Sequence, residues 1–230
     1  LQPQTTGIPR TDTDVGVADQ EANSMKFLRN LTLSLIAALF AFSAQAMAAA
    51  SDPAAHKIEN FYATLVDTMK RGPQLGAKGR YQALAPVVDA TFDIPTMIKF
   101  VVGPTWSTMS EDDHKQLTEA FRRMTIADYA NNFDSYDGER FDVEPNVQTK
   151  GDDRFVETNL IPKKDKPIPF IYRMRNVNGD WKAIDIYLNG YVDQLTTKRS
   201  DFSSTLSSGG APALVRKLNS LADTALAGKS

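Results

Sequence analysis

The sequence predicts an α+β domain: a curved four-stranded antiparallel sheet wrapped by N- and C-terminal helices around an apolar cavity. Three observations carry that expectation. Apolar residues recur at helical spacing as far as Gly138, the period then changes to two as far as Tyr191, and helical spacing returns in the tail. Helices, then a meander of strands, then helices again is the order of an α+β domain rather than of alternating βαβ units.

Ile58, Phe61, Tyr62, Leu65 and Met69 predict a helix over 53–71, stopped at Gly72-Pro73. Tyr81, Leu84, Val87 and Val88 predict a second helical stretch over 78–90, with Pro86 kinking or restarting it. Asp93 before Ile94-Pro95 reads as an N-cap, with Met97, Ile98 and Val101 on the inner face until Gly103-Pro104. The long helix begins at Ser110, where Asp113 supplies a capping-box variant. It carries Leu117, Phe121, Met124, Tyr129, Phe133 and Tyr136 toward Gly138.

Phe141, Val143 and Val147 then alternate with Asp142, Glu144 and Asn146, and Phe155, Glu157 and Asn159 alternate with Val156, Thr158 and Leu160. Lys150 to Asp153 forms the turn between these two strands. The third strand, 168–177, has Pro167 and Pro169 at its start, which points to an edge or a bulge, and Asn178-Gly179 makes the hairpin into the fourth. That fourth strand shows Ile184, Ile186 and Leu188 on one face and Trp181, Ala183 and Tyr187 on the other, so both faces are expected to be covered. The tail resumes helical spacing at Leu195, Phe202 and Leu206, and again from Leu214 to Leu226 after Gly209-Gly210.

Upstream, residues 1–24 are polar and turn-rich and read as an extension before Met25. Met25 to Arg29 is a basic start, Leu31 to Ala44 is apolar, and Ala44-Gln45-Ala46 opens a run of small-residue cleavage options. Residues 25–50 are therefore expected to be a Sec signal peptide, and 51–230 a single mature domain. That domain carries 23 Lys and Arg against 24 Asp and Glu, a balance that offers no field for gathering nucleic acid. The absence of cysteine excludes disulfides, thiolate metal sites, a cysteine nucleophile and lipoprotein acylation.

Motifs for phosphate loops, serine hydrolases and zinc proteases are missing, and the two histidines, His56 and His114, read as surface residues. Neither a cofactor nor a metal is expected. Asp185 with Tyr187 two positions on is the best catalytic candidate, since a base and an oxyanion donor sharing a strand face would suit an isomerase. The alternative for Asp185 is a buried carboxylate paired with Arg173 or Arg175 across the hairpin. Lys163-Lys164-Asp165-Lys166 reads as a solvated turn, with docking of an acidic partner as its functional alternative. Aromatic residues and methionines suit a hollow that accepts apolar ligands of variable shape, and equally suit an ordinary core. A plain protein-interaction domain with a filled core is the third reading.

Tyr81-Gln82-Ala83-Leu84, Phe92 to Met97 and Phe100 to Trp106 resemble the MlaC family, the toluene-tolerance auxiliary proteins. The likeness continues through Phe121-Arg122-Arg123, Asp128-Tyr129-Ala130, Tyr136 to Glu139 and Gly179 to Lys182 with Asp185, and so spans nearly all of 52–226. Asp185 to Tyr191 and Gln194 to Phe202 depart from the lipid-transport branch and look more like HpnM, the branch associated with hopanoids. The resemblance implies a non-catalytic, monomeric periplasmic carrier of a phospholipid or hopanoid that docks transiently with inner- and outer-membrane transport complexes. On this reading the lipid lies between the sheet and the helix at 110–136. The residues expected to line its site are Met97, Phe100, Val101, Trp106, Phe121, Met124, Phe133, Phe170, Tyr172, Met174, Ile184 and Ile186.

Overall fold

The computed structural model describes residues 52–227, so the expected upstream extension and export signal lie outside the described residues. Helix α1, Pro53–Lys70, starts where Asp52 accepts a hydrogen bond from the Ala54 amide, and it buries Ile58, Phe61, Tyr62 and Leu65. Helix α2, Gly72–Thr91, starts earlier than its periodicity suggests. The chain breaks helical geometry at Gly76, whose φ of 60° suits glycine, and Pro86 is accommodated inside the helix. Gly72 is required by close approach, because a Cβ there would collide with the carbonyl oxygen of Asp134. Helix α3, Ile94–Val102, begins at the expected Asp93 cap, whose carboxylate accepts from Thr96 N at 3.1 Å, and a 3-10 turn, Gly103–Thr108, follows it.

Helix α4, Glu111–Asn132, opens with the full capping box between Ser110 and Asp113. It ends six residues before the expected Gly138 stop. Two poor helix formers, Asn131 and Asn132, close it, and the buried Arg80 guanidinium takes the Ala130 carbonyl at 2.7 Å and that of Gly72 at 3.0 Å. Phe133 and Tyr136 therefore stand on the connection to the sheet rather than on the helix.

The sheet has six strands where four were expected: β1, Arg140–Val143; β2, Gln148–Lys150; β3, Asp153–Ile161; β4, Ile168–Val177; β5, Asp180–Leu188; and β6, Val192–Asp193. All the pairings are antiparallel, in the order β1-β3-β4-β5-β6, with β2 beside β1 on the same edge of β3. The expected first strand is thus split by the break at 144–147, and the expected fourth ends in an added two-residue pair. Helix α5, Gln194–Ala227, runs through a non-helical Gly210, φ 62°, next to Pro212.

The pairing of β4 with β5 slips by one residue. Arg173 faces Asp185, but Met174 faces Ala183, which leaves Ile184 as an extra residue on β5. The bulge reverses side-chain parity along the strand. Trp181 and Ala183 therefore join Ile186 and Leu188 on the helix-covered face, correcting the simple alternation read from the sequence. Val156, Thr158, Tyr172, Met174 and Ala183 bury this inner face against the helices, whereas Ile184 is buried apart from the main core cluster.

Candidate functional site

A cavity of about 370 Å³ lies between the inner sheet face and helices α1, α4 and α5. Its walls come from Tyr62 and Leu65 of α1, Tyr129 and Phe133 at the end of α4, and Phe141, Phe170, Tyr172, Ile186 and Leu188 of the sheet. Helical spacing aims Tyr62 and Leu65 together, and strand alternation aims Phe170 with Tyr172 and Ile186 with Leu188. One side is polar. Thr125, Asp128, Asn132, Gln194 and Lys198 form a rim where α4 meets the start of α5.

At the rim, Lys198 Nζ stands 3.6 Å from an Asp128 carboxylate oxygen. Burial pushes the Asp128 carboxyl above its ordinary range, and Lys198 offsets only part of that rise. The pair makes the rim close to neutral, with donors and acceptors of both kinds. Opposite the rim, hydroxyls satisfy one another beneath the aromatic rings. Tyr62 Oη lies 2.8 Å from Thr158 Oγ1 and 3.0 Å from Tyr172 Oη, and the Tyr129 hydroxyl adjoins that of Tyr172. Desolvation pushes Tyr62 up to about 12 despite those bonds, and it raises Tyr129 and Tyr172 as well, so all three stay neutral.

Of the twelve residues expected to line a lipid site, Phe133, Phe170, Tyr172 and Ile186 line this cavity. Met97, Val101, Phe121 and Met174 are buried in the close-packed core, as is Met124, which also borders a separate hollow between α4 and α5. Phe100 is 42% exposed beneath the Arg199 guanidinium. Trp106 stacks on the His114 ring at 4.1 Å, and a ring nitrogen of His114 lies 2.8 Å from the Trp106 carbonyl, so His114, in the first turn of α4, packs against the 3-10 turn rather than standing free at the surface. Ile184 is the bulge residue. Sequence reasoning passed over Tyr62, Leu65, Tyr129, Phe141 and Leu188 as lining residues, although each lay on an apolar face it had already drawn.

Asp185 and Tyr187 lie on the outer sheet face, away from the cavity, because they share the parity of Arg173 and Ile171. The expected arginine partnership also fails. Arg173 and Arg175 both bind Asp153, at 2.6 to 2.8 Å. Asp185 instead accepts from its neighbour's amide, Ile186 N, at 2.7 Å and shares a hydrogen bond with the carboxyl of Asp193, the last residue of β6. Burial, with the Asp193 charge adding to it, raises Asp185 to about 6. Among the described residues no cluster of His, Cys, Asp and Glu is arranged to hold a metal, and no helix is long and apolar enough to cross a membrane.

The fold and site together define an open antiparallel sheet, helix-covered on one face, with an aromatic cavity beneath that cover. The family model described as MlaC protein matches residues 59–220, and the chain belongs to that family. Among solved structures, it is similar to a phospholipid-binding protein from Ralstonia solanacearum in complex with a phospholipid. That match has a TM-score of 0.66 at 19% identity, over 76% of this chain and 99% of the other, which establishes a shared fold. No curated protein matches the chain.

Proposed function

We propose that this protein is a non-catalytic carrier that holds a membrane lipid with its hydrocarbon in the aromatic cavity and its head at the Asp128–Lys198 rim. The observation that carries the reading is the asymmetry of the cavity, apolar on every wall but one. Each methylene withdrawn from a bilayer costs about 0.8 kcal/mol, so a lipid with some 30 methylenes would cost roughly 24 kcal/mol in water. An apolar hollow offsets that cost in proportion to the hydrocarbon it covers. A rim with one cation, one carboxylate and two side-chain amides suits a neutral or zwitterionic head.

Family membership and the phospholipid-bound neighbour of like fold support this reading over an isomerase or a plain interaction domain. In the proposal, residues 25–50 direct export and 51–230 act as a monomer in the periplasm, passing lipid between complexes of the inner and outer membranes. Both phospholipid and hopanoid are candidate cargoes. The test is native mass spectrometry of protein purified without detergent from a host that makes both lipids, followed by extraction. A stoichiometric adduct lost in Leu188→Arg, with the circular dichroism spectrum unchanged, is the expected result. An empty wild-type protein would refute the carrier reading, and the adduct mass identifies the lipid class.

A further inference from the structure

Helix α3 buries Ile94, Met97, Ile98, Val101 and Val102, yet Phe100 on the same helix stands 42% exposed. A cation covers the ring. The Arg199 guanidinium of α5 lies 5.7 Å from the ring centroid, and it packs so closely on Gly103 that a Cβ there would come within 2.6 Å of a guanidinium nitrogen. Gly103 has a φ of 73°, so glycine is required both for its backbone and for this approach. The end of α3 is thus shaped as a seat for one arginine.

The seat holds the charge without neutralising it. Among the described residues no carboxylate lies within ion-pair distance of Arg199, whereas seven other arginines each bond an aspartate. The neighbours of Arg199 on its own face of α5, Leu195, Thr196, Phe202 and Ser203, are uncharged. From Ile94 to Ser110 the chain has no Asp or Glu, and Lys99, exposed next to Phe100, adds a second cation without an acidic partner. An exposed ring with two uncompensated cations therefore marks a surface whose charges otherwise nearly balance.

The chemistry of the patch points to phosphate. A guanidinium lying over a ring is held in place while its N–H groups stay available to an outside acceptor, and the guanidinium fork matches phosphate oxygens. Basic side chains around a part-exposed aromatic one are the make-up of a membrane-interface contact, in which the ring enters the head-group layer and the cations meet the phosphates. Position favours a bilayer over an acidic protein. Arg199 directly follows Lys198 of the cavity rim, so about 100° of helix turn separates the patch from the cavity's polar side.

We infer that Phe100, Arg199 and Lys99 form a docking patch for the phosphate-bearing surface of an anionic bilayer, which brings the cavity rim to the membrane. This goes beyond the carrier reading, since the patch and the cavity share no residue. One basic side chain is worth roughly fivefold in affinity at an anionic surface. Two cations and one ring thus make a contact that releases readily, as a carrier requires.

The test is flotation with vesicles of phosphatidylcholine alone and of phosphatidylcholine mixed with phosphatidylglycerol, at low salt, with native mass spectrometry of each protein reporting its cargo. The wild type is expected to float with the mixed vesicles, to be released from them by high salt and to ignore the neutral ones. Arg199→Gln should weaken that binding roughly fivefold and Phe100→Ser at least about threefold, with the cargo adduct unchanged in both. Lys164→Gln, in the basic turn between β3 and β4, is expected to stay within about twofold of the wild type. An equal loss in Lys164→Gln would mean diffuse attraction and overturn the patch, as would unchanged binding in Arg199→Gln. A wild type that floated with neither vesicle would also overturn it, leaving the cations to a carboxylate-bearing protein, and a cargo adduct in that same sample would leave the carrier reading standing.

Discussion

Replacing Asp185 with asparagine should stabilise the protein, and by more at pH 7.5 than at pH 5. The folded chain holds the Asp185 carboxyl at about 6 because it is buried and faces Asp193, against about 3.9 in an unfolded chain. A carboxyl whose pKa is higher when folded binds its proton more tightly in the native state. Its contribution is therefore fully present below about pH 3.9 and is lost as pH rises through about 6. Integrating between those values gives a loss of about 1.5 kcal/mol at pH 5 and about 3 kcal/mol at pH 7.5.

Asparagine has no such pH-dependent loss. Its carbonyl can keep the Ile186 amide, and its NH₂ can donate to Asp193 in place of the shared proton. The stability difference between variant and wild type should thus grow by about 1.4 kcal/mol from pH 5 to pH 7.5, a gap of roughly 3 to 6 °C in melting temperature for a domain of this size. Thermal melts of both proteins at the two pH values supply the measurement. The carboxylates held low by arginine or lysine partners, Asp142, Asp153 and Asp180, are common to both proteins and cancel. A difference that stayed constant or shrank as pH rose would refute the buried, proton-sharing carboxyl.

Tyr62→Phe removes the hydroxyl that joins Thr158 to Tyr172 but leaves Thr158 its 3.4 Å bond to the Phe170 carbonyl. A loss of about 1 to 2 kcal/mol in urea unfolding is expected. Arg80→Leu strips the Ala130 and Gly72 carbonyls of a buried guanidinium and should cost about 2 to 4 kcal/mol by the same assay; a neutral result would mean that water replaces it. Gly72→Ala puts a methyl group against the Asp134 carbonyl and should lower the denaturation midpoint by more than any surface alanine substitution in α2.

What the sequence made legible was local. Asp93 and Ser110 both stand where helices begin, as expected, because a side-chain oxygen bonding an amide three residues on needs no tertiary partner. The C-terminal end of α4 was misread because it is set from a distance, by Arg80 fifty residues earlier and by the Gly72 approach to Asp134. The bulge at Ile184 is equally invisible in a run of apolar residues whose two faces look alike. It left Ile184 outside the cavity lining, and Asp185, though opposite Arg173 in register, meets Asp193 because Arg173 is taken by Asp153. The candidate site suffered the same confusion. Met97, Val101, Phe121 and Met174 share the chemistry of lining residues, and only packing separates a methionine that fills a core from one that borders a hollow.

The buried hydroxyls show how this fold reconciles a polar floor with an apolar ligand. Tyr62, Tyr129 and Tyr172 present ring faces or edges to the cavity while their oxygens meet one another and Thr158 behind it. An unsatisfied hydroxyl there would draw in water or a polar ligand atom, because leaving it bare costs about 1 to 3 kcal/mol. With the hydroxyls mutually bonded, the cavity asks nothing polar of its occupant except at the rim. The same bonding fixes Tyr62 to the sheet from α1, so the helix that walls the cavity is anchored to its floor.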